Sequence, residues 1–187
     1  MPKIITEEHV EENVLDILKN LDYGIIRGSN EEYLPGGSSA LRLDYKDIVL
    51  VDKLKYALKK INPKILEETK EQAIKQILRS ESQKLITDNE SFHKMLVDGI
   101  SVPIKKDGEE RHIIVNLFDF KEPENNEFSA INQFTVIENN IERRPDVVLF
   151  VNGIPLLVIE LKNLADEDAT IWDAYNQFQT YKDQISS

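Results

Sequence analysis

The 187-residue sequence contains no cysteine. That excludes disulfides and thiolate metal ligands, and it fits a reducing cytoplasm. Histidine is scarce: His9, His93 and His112 lie far apart, without the paired spacing of an imidazole metal site. No apolar run approaches the roughly 20 residues of a membrane helix, and the N-terminus lacks a basic-then-apolar leader pattern. No membrane partner is therefore expected. Positive charge is also short, with 23 Lys and Arg against 34 Asp and Glu, a net −11. Affinity for DNA rests heavily on cationic contacts to phosphates, so this balance argues against a self-sufficient nucleic-acid binder. It does not exclude a nuclease, because a carboxylate metal site is itself acidic and bound metal reverses the local field.

What remains is ordinary for a globular protein: 41% hydrophobic and 30% charged residues, on a chain long enough to bury a sizeable core. Thr6 and the acids after it suit a helix N-terminus, and Val10, Val14, Ile17, Leu18 and Leu21 form a helical stripe over 6–21. The polar stretch 29–39 holds Pro35-Gly36-Gly37 but lacks the spacing of a phosphate-cradling loop. Apolar stripes predict helices over 45–61 and 63–79, with Pro63 at a helix start, and a shorter helix over 88–98 capped by Asp88 or Asn89. The period then changes. Residues 100–105 and 111–118 read as strands around a turn at 106–109, and 129–137 as another strand. A last helix is expected over about 169–184, with Trp172, Tyr175 and Phe178 packing. The order of helices, strands and a helix predicts an α/β (α+β) domain, a central mixed sheet flanked by helices. The expected organisation is a single domain over 1–187, with a helical insertion at about 45–98 and a core at about 99–187.

The most informative stretch is RRPDVVLFVNGIPLLVIELKN, residues 143–163. Two apolar runs, Val147–Val151 and Ile154–Ile159, read as buried strands joined at Asn152-Gly153, a strong hairpin signal. Asp146 stands at the entrance of this hairpin, with Glu160 and Lys162 at its exit. Burying an unpaired ion costs on the order of several kcal/mol, so these charges need partners. Two acids and a lysine at one end of a hairpin suggest a divalent metal site with a cation beside it. Glu160 and Lys162 share a face, with Leu161 opposite. A two-residue loop paired through to Asp146 would put Asp146 on the wrong face. The spacing therefore predicts an odd count, through a three-residue loop or a bulge, or else an Asp146 lying just before the paired region.

Pro145-Asp146 and Glu160-Leu161-Lys162 resemble the two halves of the PD-(D/E)xK nuclease signature. With NNEFSAINQFTV (125–136) and AYNQFQTY (174–181), the chain resembles the N-terminal region of the R (restriction) subunit of type I restriction–modification enzymes. The likeness is strong from about Gly99 to Tyr181 and weak from Glu11 to Gly28. It implies a PD-(D/E)xK core, with Asp146, Glu160 and Lys162 catalytic. Mg²⁺ would be held by Asp146, Glu160 and the Leu161 main chain, with Mn²⁺ able to substitute and Glu11 a further candidate ligand. Gln177 and Tyr181 match a Gln-x-x-x-Tyr motif and would support the site or contact DNA; apart from the resemblance, Arg143-Arg144 is a modest basic pair that could touch a phosphate, with Arg144 the candidate contact. The implied partners are double-stranded DNA and the modification (M) and specificity (S) subunits. ATP would serve only a motor domain absent from this chain, which therefore reads as a fragment. The alternatives are a docking module that keeps the nuclease fold without catalysis, and a repair or recombination nuclease of the same superfamily.

Overall fold

The computed structural model describes residues 6–79, 85–106, 108–162 and 170–184. The expected turn residue Asp107, and Ala169 at the start of the last expected helix, lie outside them. The chain divides into two compact units, described separately here. One comprises residues 1–48, 128–150 and 155–187; the other comprises 49–127 and 151–154.

The first unit is built on a mixed sheet of four strands: β1 (Gly24–Arg27), β4 (Phe128–Asn132), β7 (Val147–Val151) and β8 (Ile154–Ile159), in the order β1-β4-β7-β8. Helix α1 (Glu7–Asn20) starts at Thr6, whose hydroxyl accepts from the His9 N–H while the His9 side chain reaches back to the Thr6 N–H. This reciprocal cap satisfies two of the donors a helix start leaves open. Helix α1 then buries Leu15 and Leu18 against Ala130 of β4 and Val147 of β7, flanked by Val14, Tyr23, Ile25, Leu149 and Ile159, whereas Ile17 and Leu21 of the expected stripe are exposed. Strand β1, only four residues long, was not anticipated; it runs parallel to β4, with Gly24 opposite Ser129 and Arg27 opposite Asn132. Just beyond it, the Gly28 N–H donates to the Asn132 carbonyl at 3.0 Å. A Cβ on Gly28 would lie 2.1 Å from that oxygen, so the approach requires glycine.

The expected strand over 129–137 is broken. β4 stops at Asn132, Gln133 adopts a left-handed φ of 52°, and a separate ribbon follows, β5 (Val136–Glu138) with β6 (Ile141–Arg143). The turn of this ribbon is Asn139-Asn140, both at positive φ, which Asn tolerates better than most residues. Beside the break, buried Arg42 donates to the carbonyls of Tyr45, Asp47 and Thr135. Its guanidinium also lies 3.8 Å from the centroid of the Phe134 ring. Tyr45 and Asp47 thus give their carbonyls to Arg42, and residues 45–50 do not join the helix expected there. Strand β8 also departs from expectation. It ends the sheet order, and Leu156, Leu157 and Val158 are exposed in place of the burial its apolar run suggests. Helix α5 (Ile171–Gln184) completes this unit. Its Trp172 and Tyr175 are exposed and meet edge to face, where packing was expected.

In the second unit, α2 (Val51–Ile61) buries Leu54, Ala57 and Leu58, and α3 (Glu67–Ile77) buries Ala73, Ile74 and Ile77. Pro63 lies in the connection and not at a helix start. The connection is anchored by Asn62, whose amide nitrogen donates to the carbonyls of Leu58 and Asn116 and whose oxygen accepts from the Asn116 N–H. Helix α4 (Leu85–Asp98) begins earlier than expected, with Asp88 and Asn89 inside it. The hairpin of β2 (Ile100–Lys106) and β3 (Glu109–Val115) follows, paired from Ile100–Val115 to Lys106–Glu109. No helix among the described residues is long and apolar enough to cross a membrane.

Asn152 and Gly153 have φ of 53° and 79°, the paired positive values of a type I′ turn. The Asn152 side chain is fully buried. Its oxygen accepts from the Glu127 N–H at 2.8 Å, and its nitrogen donates to the Leu117 carbonyl and the Asn126 side-chain oxygen, each at 2.9 Å. Replacing Asn152 by Ala strips all three bonds and is expected to destabilise the fold by about 2–4 kcal/mol. Replacing it by Gly relieves the left-handed backbone but not the lost bonds, so urea unfolding should rank wild type above Asn152→Gly above Asn152→Ala. Equal stability of the two variants would show that the backbone conformation contributes nothing.

Candidate active site

The hairpin connection has two residues, so the odd count expected from a three-residue loop is not realised. Asp146 reaches the shared face by the other route: β7 begins at Val147, and Asp146 sits in a bend just before the paired region. Its position is fixed at two points. The Asp146 carbonyl accepts from the Gln133 N–H at 2.9 Å, and its Oδ2 accepts from the Leu161 N–H at 2.6 Å. The second bond ties the entrance of the hairpin directly to its exit.

Glu160, Leu161 and Lys162 lie just beyond the end of β8 and keep the alternation expected of a strand. Leu161 is buried, while Glu160 and Lys162 are half-buried. Helix α5 supplies what meets them. Gln177 Nε2 donates to Glu160 Oε2 at 2.7 Å, and the Tyr181 hydroxyl donates to Glu160 Oε1 at 2.8 Å. Gln177 Nε2 also donates to the Tyr181 hydroxyl at 2.7 Å, and Gln177 Oε1 accepts from Lys162 Nζ at 3.0 Å. Residues four apart on a helix share a face, which is how Gln177 and Tyr181 reach the same carboxylate. Lys162 thus reaches Glu160 through an amide, and no direct ion pair between them occurs among the described residues.

Burial pushes the Glu160 carboxyl up from its ordinary range to about 7. The Tyr181 hydrogen bond and the Lys162 charge oppose the rise, and the neighbouring Asp146 adds to it by its charge and by hydrogen bonding. Burial and the contact with Glu160 push the Tyr181 phenol up to about 12, against the hydrogen bond from Gln177. At neutral pH Tyr181 is therefore a hydrogen-bond donor, not a base.

Glu11 approaches the same region from α1. One oxygen accepts from Asn132 Nδ2 at 2.7 Å and the other from Gln133 Nε2. Its neighbour Glu12 forms a two-pronged pair with Arg27. Among the described residues no three of His, Cys, Asp and Glu gather as a metal-binding group. The carboxylate donors of the site are thus the pair Asp146 and Glu160. Two neighbouring carboxylates, with main-chain oxygen at Leu161, make an oxygen donor set suited to a hard divalent cation that keeps several waters.

The amides of Asn132 and Gln133, which hold Glu11, and the Gln133 N–H on Asp146 were not singled out in the sequence. Their only signal was membership of the 125–136 segment. Arg144 is exposed, two residues before Asp146. It borders an open cleft of about 370 Å³ that is also lined by Gln177 and Tyr181.

The family model described as Type I restriction enzyme R protein N terminus matches residues 4–187. The chain belongs to this family. It is 35% identical over 184 residues to the type I restriction enzyme HindI endonuclease subunit of Haemophilus influenzae, covering 98% of this chain and 17% of that protein. It is 34% identical over 180 residues to a Methanocaldococcus jannaschii protein provisionally named type I restriction enzyme MjaIXP endonuclease subunit, covering 94% of this chain and 17% of that protein. A Staphylococcus aureus relative, the type I restriction enzyme SauCOLORF180P endonuclease subunit, is 33% identical over 112 residues, 53% of this chain and 11% of its own length. The chain thus spans about one sixth of the first two relatives.

The Glu160 carboxyl ionises near its ordinary 4.5 in the unfolded chain but holds its proton to about 7 when folded. The folded state then binds the extra proton between those values. Stability from this group is fully present below about pH 4.5 and is lost as pH rises through about 7. In the metal-free protein, the urea midpoint of wild type should fall relative to that of Glu160→Gln between pH 4.5 and pH 8. Parallel profiles for the two proteins would contradict the assignment.

Proposed function

We propose that this chain is a metal-dependent endonuclease domain of a type I restriction enzyme R subunit, hydrolysing phosphodiester bonds of double-stranded DNA. The observation that carries the reading is the convergence of Asp146, Glu160 and Lys162 at one end of the β7–β8 hairpin, under Gln177 and Tyr181 of α5. Asp146, Glu160 and the Leu161 main chain would hold Mg²⁺, with Mn²⁺ a competent substitute. Such an ion supplies a water of lowered pKa and neutralises charge that builds on the phosphate.

The side chains divide the remaining work. Lys162, held by Gln177 and unpaired with either acid, places a positive charge where negative charge develops on the phosphate oxygens. Gln177 keeps Lys162 and Glu160 in register through one amide. Tyr181 donates to Glu160 and fixes its rotamer. Asp146, anchored by the Leu161 N–H, stands beside Glu160.

In the complete subunit, a motor domain outside this chain would use ATP to move DNA to the site, and the M and S subunits would supply recognition. That division of labour accommodates the net charge of −11, since the other parts of the assembly would supply most of the DNA affinity. The setting is the cytoplasm of a bacterium or archaeon.

The test is DNA cleavage by the assembled enzyme carrying Asp146→Ala, Glu160→Ala or Lys162→Ala in its R subunit. Each substitution is expected to lower the cleavage rate by at least about 100-fold while ATP hydrolysis continues at the wild-type rate. Cleavage at the wild-type rate in any of the three would remove that residue from the proposed machinery.

A further inference from the structure

Next to the acid pair lies a cleft of about 370 Å³, lined by Glu142, Arg143, Arg144, Gln177, Thr180 and Tyr181. Its lining carries two guanidiniums against one carboxylate, a local reversal of sign in a chain of net charge −11. Two of the lining residues, Gln177 and Tyr181, are the ones bonded to Glu160. The cleft therefore shares two residues with the site already described.

Among the described residues neither guanidinium pairs with an acid. Arg143 donates from Nη1 to the Glu142 carbonyl at 2.8 Å. Its Nε–H is shut off from solvent without a hydrogen-bond partner among the described residues. A buried donor left without a partner is rare in folded proteins. Arg144 is exposed and has no ion pair among the described residues. It also borders a second cleft of about 290 Å³ on the side of Gly28 and Gln133. Arg144 thus stands on the ridge between two hollows, two residues from Asp146, and Gln133, from the second hollow, donates its N–H to the Asp146 carbonyl.

We infer that the Arg143–Arg144 cleft is a subsite for a backbone phosphate of DNA, one that neighbours the phosphate to be cut. The inference rests on the nuclease reading above and adds to it the residues that set the register of the strand. Guanidinium groups suit this role, since their planar array of donors matches phosphate oxygens. Phosphate contacts position a strand without reading its bases, so the subsite takes any sequence. Arg144 reaches the phosphate from the exposed rim, and Arg143 adds its positive charge from the wall. Neither takes part in bond breaking; both are positioning residues.

The decisive experiment measures binding of a short DNA duplex to the protein in Ca²⁺ over a series of salt concentrations, for wild type, Arg144→Gln and Arg144→Lys. Arg144 is exposed, so its replacement leaves the fold intact, whereas Arg143 holds a main-chain carbonyl and is a poorer first choice. Arg144→Gln should weaken binding about tenfold, equally for two duplexes of unrelated sequence. It should lower the magnitude of the salt slope by about one. Arg144→Lys should restore the slope. Absence of duplex binding by wild type even at the lowest salt, unchanged affinity in Arg144→Gln, or an affinity loss with the slope unchanged would each overturn the subsite. Mn²⁺ titration of the same proteins without DNA separates this result from the nuclease reading. Metal binding retained in Arg144→Gln with no change in duplex affinity defeats the subsite alone. Failure of wild type to bind Mn²⁺ would count against the acid pair, and the salt-slope result would then judge the Arg cleft by itself.

Discussion

One hydrogen bond organises this site: the Leu161 N–H donating to Asp146 Oδ2 at 2.6 Å. Asp146 precedes β7 and Leu161 follows β8, so neither is held by the regular ladder of the hairpin. The bond closes the open end of that hairpin. It occupies Oδ2 of Asp146, and the Asp146 carboxylate also lies within hydrogen-bonding reach of Glu160. A charge-assisted bond of this kind is among the stronger hydrogen bonds a protein makes. Without it, two carboxylates would relax apart, because their mutual repulsion is what helps raise Glu160.

Everything else at the site compensates for holding two acids together. Glu160 is given two donors, Gln177 Nε2 and the Tyr181 hydroxyl, one on each oxygen. Gln177 is suited to the centre because a primary amide both donates and accepts. It gives protons to Glu160 and Tyr181 and takes one from Lys162. A carboxylate at that position would add a third negative charge, and a lysine could not accept from Lys162. The backbone side is secured in the same way, with the Gln133 N–H on the Asp146 carbonyl and the Gln133 amide on Glu11.

The site was more legible in the sequence than the strand order was. Asp146, Glu160 and Lys162 stand out because charge at the ends of two apolar runs is costly unless it is used, and Asn152-Gly153 declares the turn between them. Gln177 and Tyr181 stand out by their resemblance to a Gln-x-x-x-Tyr motif, whose spacing places them on one face of α5. The face of Asp146 was harder to foresee. Counting through a two-residue loop places it opposite to Glu160, and what resolves the count is that β7 starts at Val147, a boundary no periodicity marks. The break at Gln133 was invisible because the apolar pattern runs on through Phe134 and Val136. It is set by Arg42, which is buried on Phe134 and takes the Thr135 carbonyl across 93 positions of sequence. Strand β1 is too short to show a period. The exposed middle of β8 has the opposite cause: its apolar run promises cover on both faces, and the described residues do not provide it.

The most direct test of the paired carboxylates as a metal centre is crystallographic. Crystals of the protein with a short duplex, soaked in Mn²⁺, would be measured at the manganese edge. The expected result is an anomalous peak between Asp146 and Glu160, about 2.1–2.2 Å from an oxygen of each and close to the Leu161 main-chain oxygen. It should appear together with release of Gln177 or Tyr181 from at least one Glu160 oxygen. A well-ordered duplex with no peak there, and with both bonds to Glu160 retained, would contradict a metal site and leave Asp146, Glu160 and Lys162 as a structural clasp for the hairpin.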